Sequence, residues 1–460
     1  MSKDVTMQNN LTTGSVPKTL LRFSLPYLLS YFLQTLYGLA DLFIIGRFDR
    51  VEATTAVSVG SQVMHMVTVM IVGLAMGTTV MVGRAVGAAD HAAVKRIVGN
   101  TVTLFALLSL AGTAVLLCLT RVIVAAVSTP VEAVAGTRAY LIVCFIGVPF
   151  ITAYNVISSI LRGSGDSKTP LYLIAVACVL NILLDLLFVG GLGLGAPGAA
   201  LATVLAQTFS VLLSLLFLVR KKADLLPAKS DYRLQSDTVS ELLKIGVPIA
   251  LQDGFVQIAF LVITAIANSR GLTDAAAVGI VEKIIGVLFL VPSSMLSSVS
   301  VLAAQNFGAQ KPERAKLTLR FGLLFVAVWG LLAVVVMQVA ADWFVGLFTE
   351  SAEVARMGGE YMRGYVFDCL IAGIHFCFSG YFCACGLSLV SFLHNAASIL
   401  CARIPLAYLA SVRFPNTLLP MGLATTTGSM LSVLICVAVY AVLCQKERTN
   451  SRKKVVEKSK

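Results

Sequence analysis

Four polar side chains stand inside long apolar segments, where ionisable groups are expensive to bury. They are Asp41 in YGLADLFIIG, Asn181 and Asp185 in LNILLD, and Thr203 in GAALATVLA. Asn181 precedes Asp185 by four residues, so both project from one face of a helix. Two carboxylates, an amide oxygen and a hydroxyl are suitable ligands for a hard cation, and two nearby carboxylates can also share a proton. These residue types predict a site for a cation or a proton.

Three of these residues lie at one depth if the apolar segments are membrane helices. Asp41 is five residues from the outer end of the predicted first helix, and Asp185 is five from that of the fifth. Thr203 is five residues inside the sixth helix. At ~1.5 Å per residue, each lies about 7–8 Å below the outer surface. This agreement favours one shared coupling site over the alternative, in which each acid merely hydrogen-bonds a neighbouring helix.

A second set of polar and aromatic residues provides candidates for a substrate cavity. Its members are Tyr37, Gln34, Asp253, Gln257, Glu282 and Asp368. Lys283 or Arg403 could neutralise one of the acids, which leaves open whether the acids bind cargo, an ion or each other. An apolar chamber with aromatic and acidic groups would suit bulky organic cations.

The elements that carry these residues are predicted to be transmembrane helices. The chain has 460 residues, of which 58% are hydrophobic and only 13% are charged. Apolar segments of about twenty residues follow one another, and each is long enough to cross a bilayer. Only helices satisfy the backbone hydrogen bonds of such segments in lipid. We therefore predict an all-α membrane protein with twelve transmembrane helices in two parallel six-helix bundles.

The two bundles are predicted from an internal repeat at an offset of 221 or 222 residues. Pro26 corresponds to Pro248, and Gly87 corresponds to Gly308. Both prolines lie inside helices, which makes them candidate hinges. The predicted segments are a cytoplasmic N-terminal segment 1–19, a first lobe 20–219 with helices one to six, a cytoplasmic linker 220–240, a second lobe 241–444 with helices seven to twelve, and a basic cytoplasmic tail 445–460.

The net charge of +12 is explained by its distribution along the chain. With the N-terminus inside, 25 Lys and Arg residues fall in inner segments and eight in outer ones. Because loops rich in Lys and Arg stay in the cytoplasm, both termini are predicted to be cytoplasmic, in the plasma (inner) membrane. The basic tail is then expected to face lipid headgroups, and no nucleic-acid partner is predicted. A monomer in the lipid bilayer is expected.

Several function classes lack their usual motifs. The sequence has no Gly-Lys dipeptide and hence no P-loop, and it has neither His-Glu-x-x-His nor Gly-x-Ser-x-Gly. The ten cysteines fall almost entirely inside apolar segments without Cys-x-x-C spacing, so no zinc site is expected. No cofactor, no metal other than Na⁺ at the coupling site and no enzymatic activity are predicted. Energy is expected to come from a gradient of H⁺ or Na⁺.

The chain resembles the MATE family, the multidrug and toxic compound extrusion transporters, over about residues 15–445. The resemblance rests on LPYLLSYFLQTLYGLADLFIIGRF, ILRGSGDSKTPLYLIAVACVLNILLD and GAPGAALATVLAQ in the first half, and on KIGVPIALQ and AQNFGAQKPERA in the second. It implies a V-shaped protein of two six-helix lobes that exports drugs in exchange for H⁺ or Na⁺.

The resemblance also implies roles for particular residues. One branch of the family binds a cation in the first lobe, and its positions match Asp41, Asn181, Asp185 and Thr203. Another branch uses a Glu in helix seven and an Asp in helix ten. Asp368 corresponds to that Asp, whereas Val256 and Gln257 stand where the Glu is expected.

The sequence therefore predicts an antiporter that exports cationic, amphipathic compounds by alternating access. Two alternatives stay open. One is a flippase for a lipid-linked precursor or polar lipid, with a similar two-lobe frame, which would need a strongly basic cleft. The other is an intramembrane aspartyl enzyme that uses Asp41 and Asp185.

Overall fold

The computed structural model describes residues 11–458, and its regular structure there is helical throughout. Twelve helices are long and apolar enough to cross a membrane, which confirms the predicted number of spans. Residues 1–10 of the predicted N-terminal segment and 459–460 of the predicted tail lie outside the described residues. The helices are α1 (Val16–Phe48), α2 (Val51–Gly87), α3 (His91–Ala126), α4 (Val131–Gly163), α5 (Lys168–Gly191), α6 (Gly195–Lys221), α7 (Ser236–Asn268), α8 (Leu272–Gly308), α9 (Pro312–Gly346), α10 (Ala352–Cys385), α11 (Ser388–Arg413) and α12 (Leu419–Lys446).

Local sequence signals account for several helix ends. The Asp90 side chain accepts a hydrogen bond from the Ala93 N–H at the start of α3, as expected for an N-cap. Gly165 follows α4 with φ +91°, and its repeat partner Gly386 follows α10 with φ +80°. Because these left-handed conformations favour glycine, the repeat preserves the turn that ends both helices.

In three helices an interior proline leaves a backbone carbonyl without its helical N–H partner. A side chain from another helix donates a hydrogen bond to each of these carbonyls. A proline lacks the N–H that would bond the carbonyl four residues earlier. Thr113 donates to the Phe145 carbonyl at 3.2 Å, four residues before Pro149. In lipid an unpaired carbonyl costs several kcal/mol, so such contacts let α4 remain helical at its proline.

The same arrangement recurs in α7 and α8. Ser388 donates to the Lys244 carbonyl at 2.9 Å, four residues before Pro248. The indole of Trp329 donates to the Leu288 carbonyl at 3.1 Å, four residues before Pro292 in α8. Although Pro26 and Pro248 are predicted hinges, α1 and α7 are both continuous helices through these residues. Hinge function therefore stays a prediction.

Four of the helices have local irregularities in their hydrogen bonding. The last turn of α5, Leu186–Gly191, is π-helical, as is Ile399–Arg403 within α11. The regular hydrogen bonding of α8 is interrupted at Phe289, and that of α10 is interrupted at Val366. Such π-helical turns are frequent at functional sites.

The chain forms two compact units. The first extends to Gly254 and also contains Ser297–Phe321 and Cys383–Leu389; its apolar core is built largely by α2, α4 and α6. The second contains Phe255–Leu296, Gly322–Phe382 and the described residues from Val390 onward. Its core joins side chains of α7, α8, α9, α10, α11 and α12.

The connection between α6 and α7 is shorter than the predicted linker 220–240, and it packs against α3. It runs from the end of α6 at Lys221 to the start of α7 at Ser236. The buried Asn100 donates to the Asp231 carbonyl at 3.1 Å and accepts from the Gln235 N–H at 2.7 Å. Two bonds from one buried amide anchor the linker to the first unit.

Candidate functional site

The four predicted coupling residues come together in the first unit. Thr203 donates to Asp41 Oδ2 at 3.3 Å, and Asn181 Nδ2 donates to Thr203 Oγ1 at 3.5 Å. The Asp41 carboxylate also contacts Asp185. Residues from α1, α5 and α6 thus form one polar cluster, which we call the acidic pair site, consisting of Asp41, Asn181, Asp185 and Thr203.

Local helix geometry positions Asp185 within this site. Regular α-helical structure in α5 ends at Asp185, and the π-helical turn Leu186–Gly191 follows directly. Asn181 lies one helical turn earlier, on the same face as Asp185. The site therefore forms at the point where the backbone of α5 changes its hydrogen-bonding pattern.

The acidic pair site is buried but incompletely hydrogen-bonded. Asp185 is fully buried, and Asp41 is only 6% exposed. Both carboxylate oxygens of Asp185, Oδ1 of Asp41 and Oδ1 of Asn181 have no hydrogen-bond partner among the described residues. Two ionised carboxylates cannot hydrogen-bond each other, since neither has a proton to donate. Their contact can be satisfied by one shared proton or by a bound cation.

A small cavity adjoins the acidic pair site. Its volume is about 10 Å³, and its lining includes Tyr37, Asn181, Thr203 and Gln207. A space near this size holds about one water-sized particle. The cavity meets the site at Asn181 and Thr203 and is not lined by Asp41 or Asp185. The donor set of the site, with two carboxylates, an amide oxygen and a hydroxyl, fits a proton or a small monovalent cation such as Na⁺.

The structure separates the predicted substrate-cavity residues into different environments. Tyr37 lies beside the acidic pair site, one turn before Asp41 on α1, and Gln34 is half-buried one turn further from it. Asp253 belongs to the first unit, where its carboxylate packs against the backbone of Gly73 on α2. Gln257 is half-buried in the second unit.

Glu282 and Asp368 share a second polar cluster in the second unit. Thr264 donates to Glu282 Oε2 at 3.1 Å. Arg403 lies 3.7 Å from Asp368 and donates to the Tyr365 hydroxyl. Because Lys283 is exposed, Arg403 is the residue that supplies the positive charge in this cluster.

Arg162 is a buried charged residue that the sequence analysis does not single out. It is 5% exposed at the end of α4, and its guanidinium lies 4.0 Å from the centroid of the Tyr27 ring. A cation over an aromatic face is stabilised by the ring quadrupole. No local pattern marks this position, because Tyr27 lies far earlier in the chain.

Comparison with known proteins identifies the family and the fold of the chain. The MatE family model matches residues 26–187 and again residues 248–409, at the offset of the internal repeat. The chain is 26% identical over 441 residues to the "Probable multidrug resistance protein YoeA" of Bacillus subtilis, covering 94% of this chain and 95% of that protein. It is 26% identical over 432 residues to a protein of Shewanella oneidensis named "FAD transporter", covering 91% and 95%.

A solved structure shows the same fold. A MATE protein crystallised in complex with MaL6 superposes with a TM-score of 0.88 and 22% identity, over 99% of this chain and 100% of that chain. At this identity the likeness establishes the fold, whereas the double match to the family model establishes the family. The chain belongs to the MATE family and is a transporter of small molecules rather than an enzyme.

Proposed function

We propose that this protein is an antiporter that exports cationic, amphipathic compounds in exchange for H⁺ or Na⁺. The observation that carries the proposal is the acidic pair site, in which four buried oxygen atoms on three side chains lack hydrogen-bond partners among the described residues. Burial of such groups is costly unless a proton or cation joins them. The names of multidrug-resistance relatives support drug-like cargo.

Coupling follows if the cation and the cargo favour different arrangements of the protein. A ligand shifts a conformational equilibrium only by its difference in affinity for the two states. We expect H⁺ or Na⁺ to enter from outside, bind between Asp41 and Asp185, and rearrange α1 about Pro26. That rearrangement would release cargo outward. The proposal includes an inner-membrane location with both termini in the cytoplasm, and a monomeric protein.

The cargo class rests on the polar residues outside the acidic pair site. Tyr37, Gln34, Asp253, Gln257, Glu282 and Asp368 are the proposed contacts, and their acidic and aromatic groups favour organic cations. The relative named "FAD transporter" indicates that cargo differs among related proteins. A flippase for lipid-linked phosphates would need free basic groups, but Arg403 is paired with Asp368. An aspartyl enzyme does not agree with membership of a transporter family.

Dye efflux from proteoliposomes tests the proposal. A fluorescent cationic dye is loaded, and a pH gradient and a Na⁺ gradient are imposed in separate experiments. Efflux driven by one of the gradients identifies the coupling ion. We expect Asp41→Asn to abolish gradient-driven efflux while the purified protein stays folded, with a melting temperature no lower than that of the wild type.

The matched control is Asp224→Asn, which neutralises an exposed carboxylate in the linker. This control should transport like the wild type. Full gradient-driven efflux by the Asp41 variant would contradict ion coupling at the acidic pair site, and the absence of efflux with both gradients in the wild type would contradict the cargo class.

A further inference from the structure

Arg84 lies near the C-terminal end of α2, and Gln305 lies near the C-terminal end of α8. These two residues correspond at the repeat offset, as do Gly163 at the end of α4 and Ala384 at the end of α10. All four residues belong to the first compact unit. The distribution of Lys and Arg assigns these helix ends to the cytoplasmic side.

Arg84 links the first half of the chain to two helices of the second half. Its Nε and Nη2 donate to the Ala384 carbonyl at 3.2 and 2.8 Å. Its Nη1 forms an ion pair with Glu241 near the start of α7, at 3.1 Å. The last carbonyls of a helix have no donor within the helix. Arg84 therefore satisfies an end of α10 that the helix itself leaves unpaired.

Gln305 makes the repeat-related contact in the opposite direction. Its Nε2 donates to the Gly163 carbonyl at 2.9 Å, at the end of α4. Its Oε1 accepts from the Leu11 N–H at 3.3 Å. Each half thus supplies one side chain that caps the corresponding helix end of the other half. Among the described residues, Leu11 of the N-terminal segment joins the contact on the Gln305 side.

Two glycines bring the backbones of α2 and α8 into direct contact at the same place. A Cβ at Gly87 would collide with the Gln305 carbonyl, and a Cβ at Gly308 would collide with the Arg84 carbonyl. Glycine permits this close approach of two helices. Because each glycine contacts the backbone of the residue that caps the other half, the reciprocal arrangement rests on packing as well as on hydrogen bonds.

We propose that Arg84 and Gln305 form a reciprocal latch that closes the cytoplasmic end between the two halves and opens once in each transport cycle. The inference rests on the proposed function, since alternating access requires cargo to enter from that side. Both residues act as positioning residues and need not touch cargo. The Arg84 side chain is 27% exposed and that of Glu241 is 49% exposed, so water can replace this ion pair when the latch opens, whereas Gln305 is buried.

Hydrogen–deuterium exchange of the purified protein in nanodiscs tests the latch without cargo or an ion gradient. We expect Arg84→Ala and Gln305→Ala each to accelerate amide exchange at the ends of α2, α4, α8 and α10 by about tenfold, the effect of losing one charged or well-formed hydrogen-bond set. Arg84→Gln should stay close to the wild type, because Gln305 makes the equivalent bond at the repeat-related position. Arg96→Ala, which removes an exposed arginine of the same end, is the control.

Transport supplies a second readout. Loss of the latch raises the population open to the cytoplasm, so the apparent KM for a cationic dye should fall and kcat should fall with it. Unchanged exchange in both alanine variants overturns the proposal. So does equal acceleration in the Arg96 control, or acceleration that extends through α5 and α6. Because hydrogen–deuterium exchange is measured without cargo or an ion gradient, it tests the latch even if the acidic pair site does not couple transport to an ion.

Discussion

Replacement of Asp185 by asparagine should abolish ion coupling and, in alkaline buffer without Na⁺, should also raise the stability of the protein. Asp185 is fully buried and contacts Asp41, with both its oxygens lacking hydrogen-bond partners among the described residues. Two unit charges about 4 Å apart repel by about 4 kcal/mol at an effective dielectric constant near 20. Asparagine keeps the shape of the side chain but removes this repulsion. The relief is full when both carboxylates are ionised and vanishes when a proton or cation bridges them.

Thermal unfolding in nanodiscs measures this effect. In alkaline, Na⁺-free buffer, Asp185→Asn should melt above the wild type, with a gain of up to about 4 kcal/mol in unfolding free energy. In acidic buffer the two proteins should converge, because the wild-type pair then holds a proton. If Na⁺ is the coupling ion, its addition at alkaline pH should raise the melting temperature of the wild type and not that of the variant.

Asp224→Asn removes an exposed carboxylate and should leave the melting temperature unchanged in every buffer. If Asp185→Asn is no more stable than the wild type in alkaline, Na⁺-free buffer, the two carboxylates do not repel across a shared site. The interpretation of Asp41 and Asp185 as one coupling unit would then be wrong.

Two further predictions concern the partners of buried acids. Thr203→Ala should weaken the affinity for the coupling ion about tenfold, since a hydrogen bond to a charged group contributes about 1.5 kcal/mol or more. Thr203→Ser keeps the hydroxyl and should retain the wild-type affinity, as measured by ion-dependent melting. An equal loss of affinity in both variants would contradict this prediction. Arg403→Leu should destabilise the protein by about 3–5 kcal/mol because it leaves the Asp368 charge unpaired. The double variant with Asp368→Leu should recover much of that loss in thermal unfolding. An Arg403→Leu protein as stable as the wild type would argue against the ion pair.

Much of the candidate site could be predicted because its residues are recognisable from their type and their position within the apolar segments. Asp41, Asn181 and Asp185 stand out as polar residues in apolar segments, and the rise per residue in a helix converts sequence position into depth. The structure brings these residues and Thr203 together at one place. The sequence could not identify which helix would neighbour which, because equal depth does not define lateral contact.

The second polar cluster was less predictable for a related reason. Lys283 and Arg403 were equivalent candidates for neutralising an acid, and only the structure distinguishes them. Helix rotation turns Lys283 to an exposed position and directs Arg403 toward Asp368. Uniformly apolar segments carry little information on rotation, since lipid and protein interior are both apolar.

The sequence by itself determined the twelve helices, the internal repeat and the identity of the polar residues held in apolar surroundings, because backbone hydrogen bonding and hydropathy are local properties. Only the tertiary structure decided which side chains satisfy the carbonyls freed by prolines, and that Arg84 and Gln305 cap helix ends of the opposite half. These contacts join residues far apart in the chain. They depend on which helices are neighbours and on how each is rotated, and neither is encoded in a local pattern.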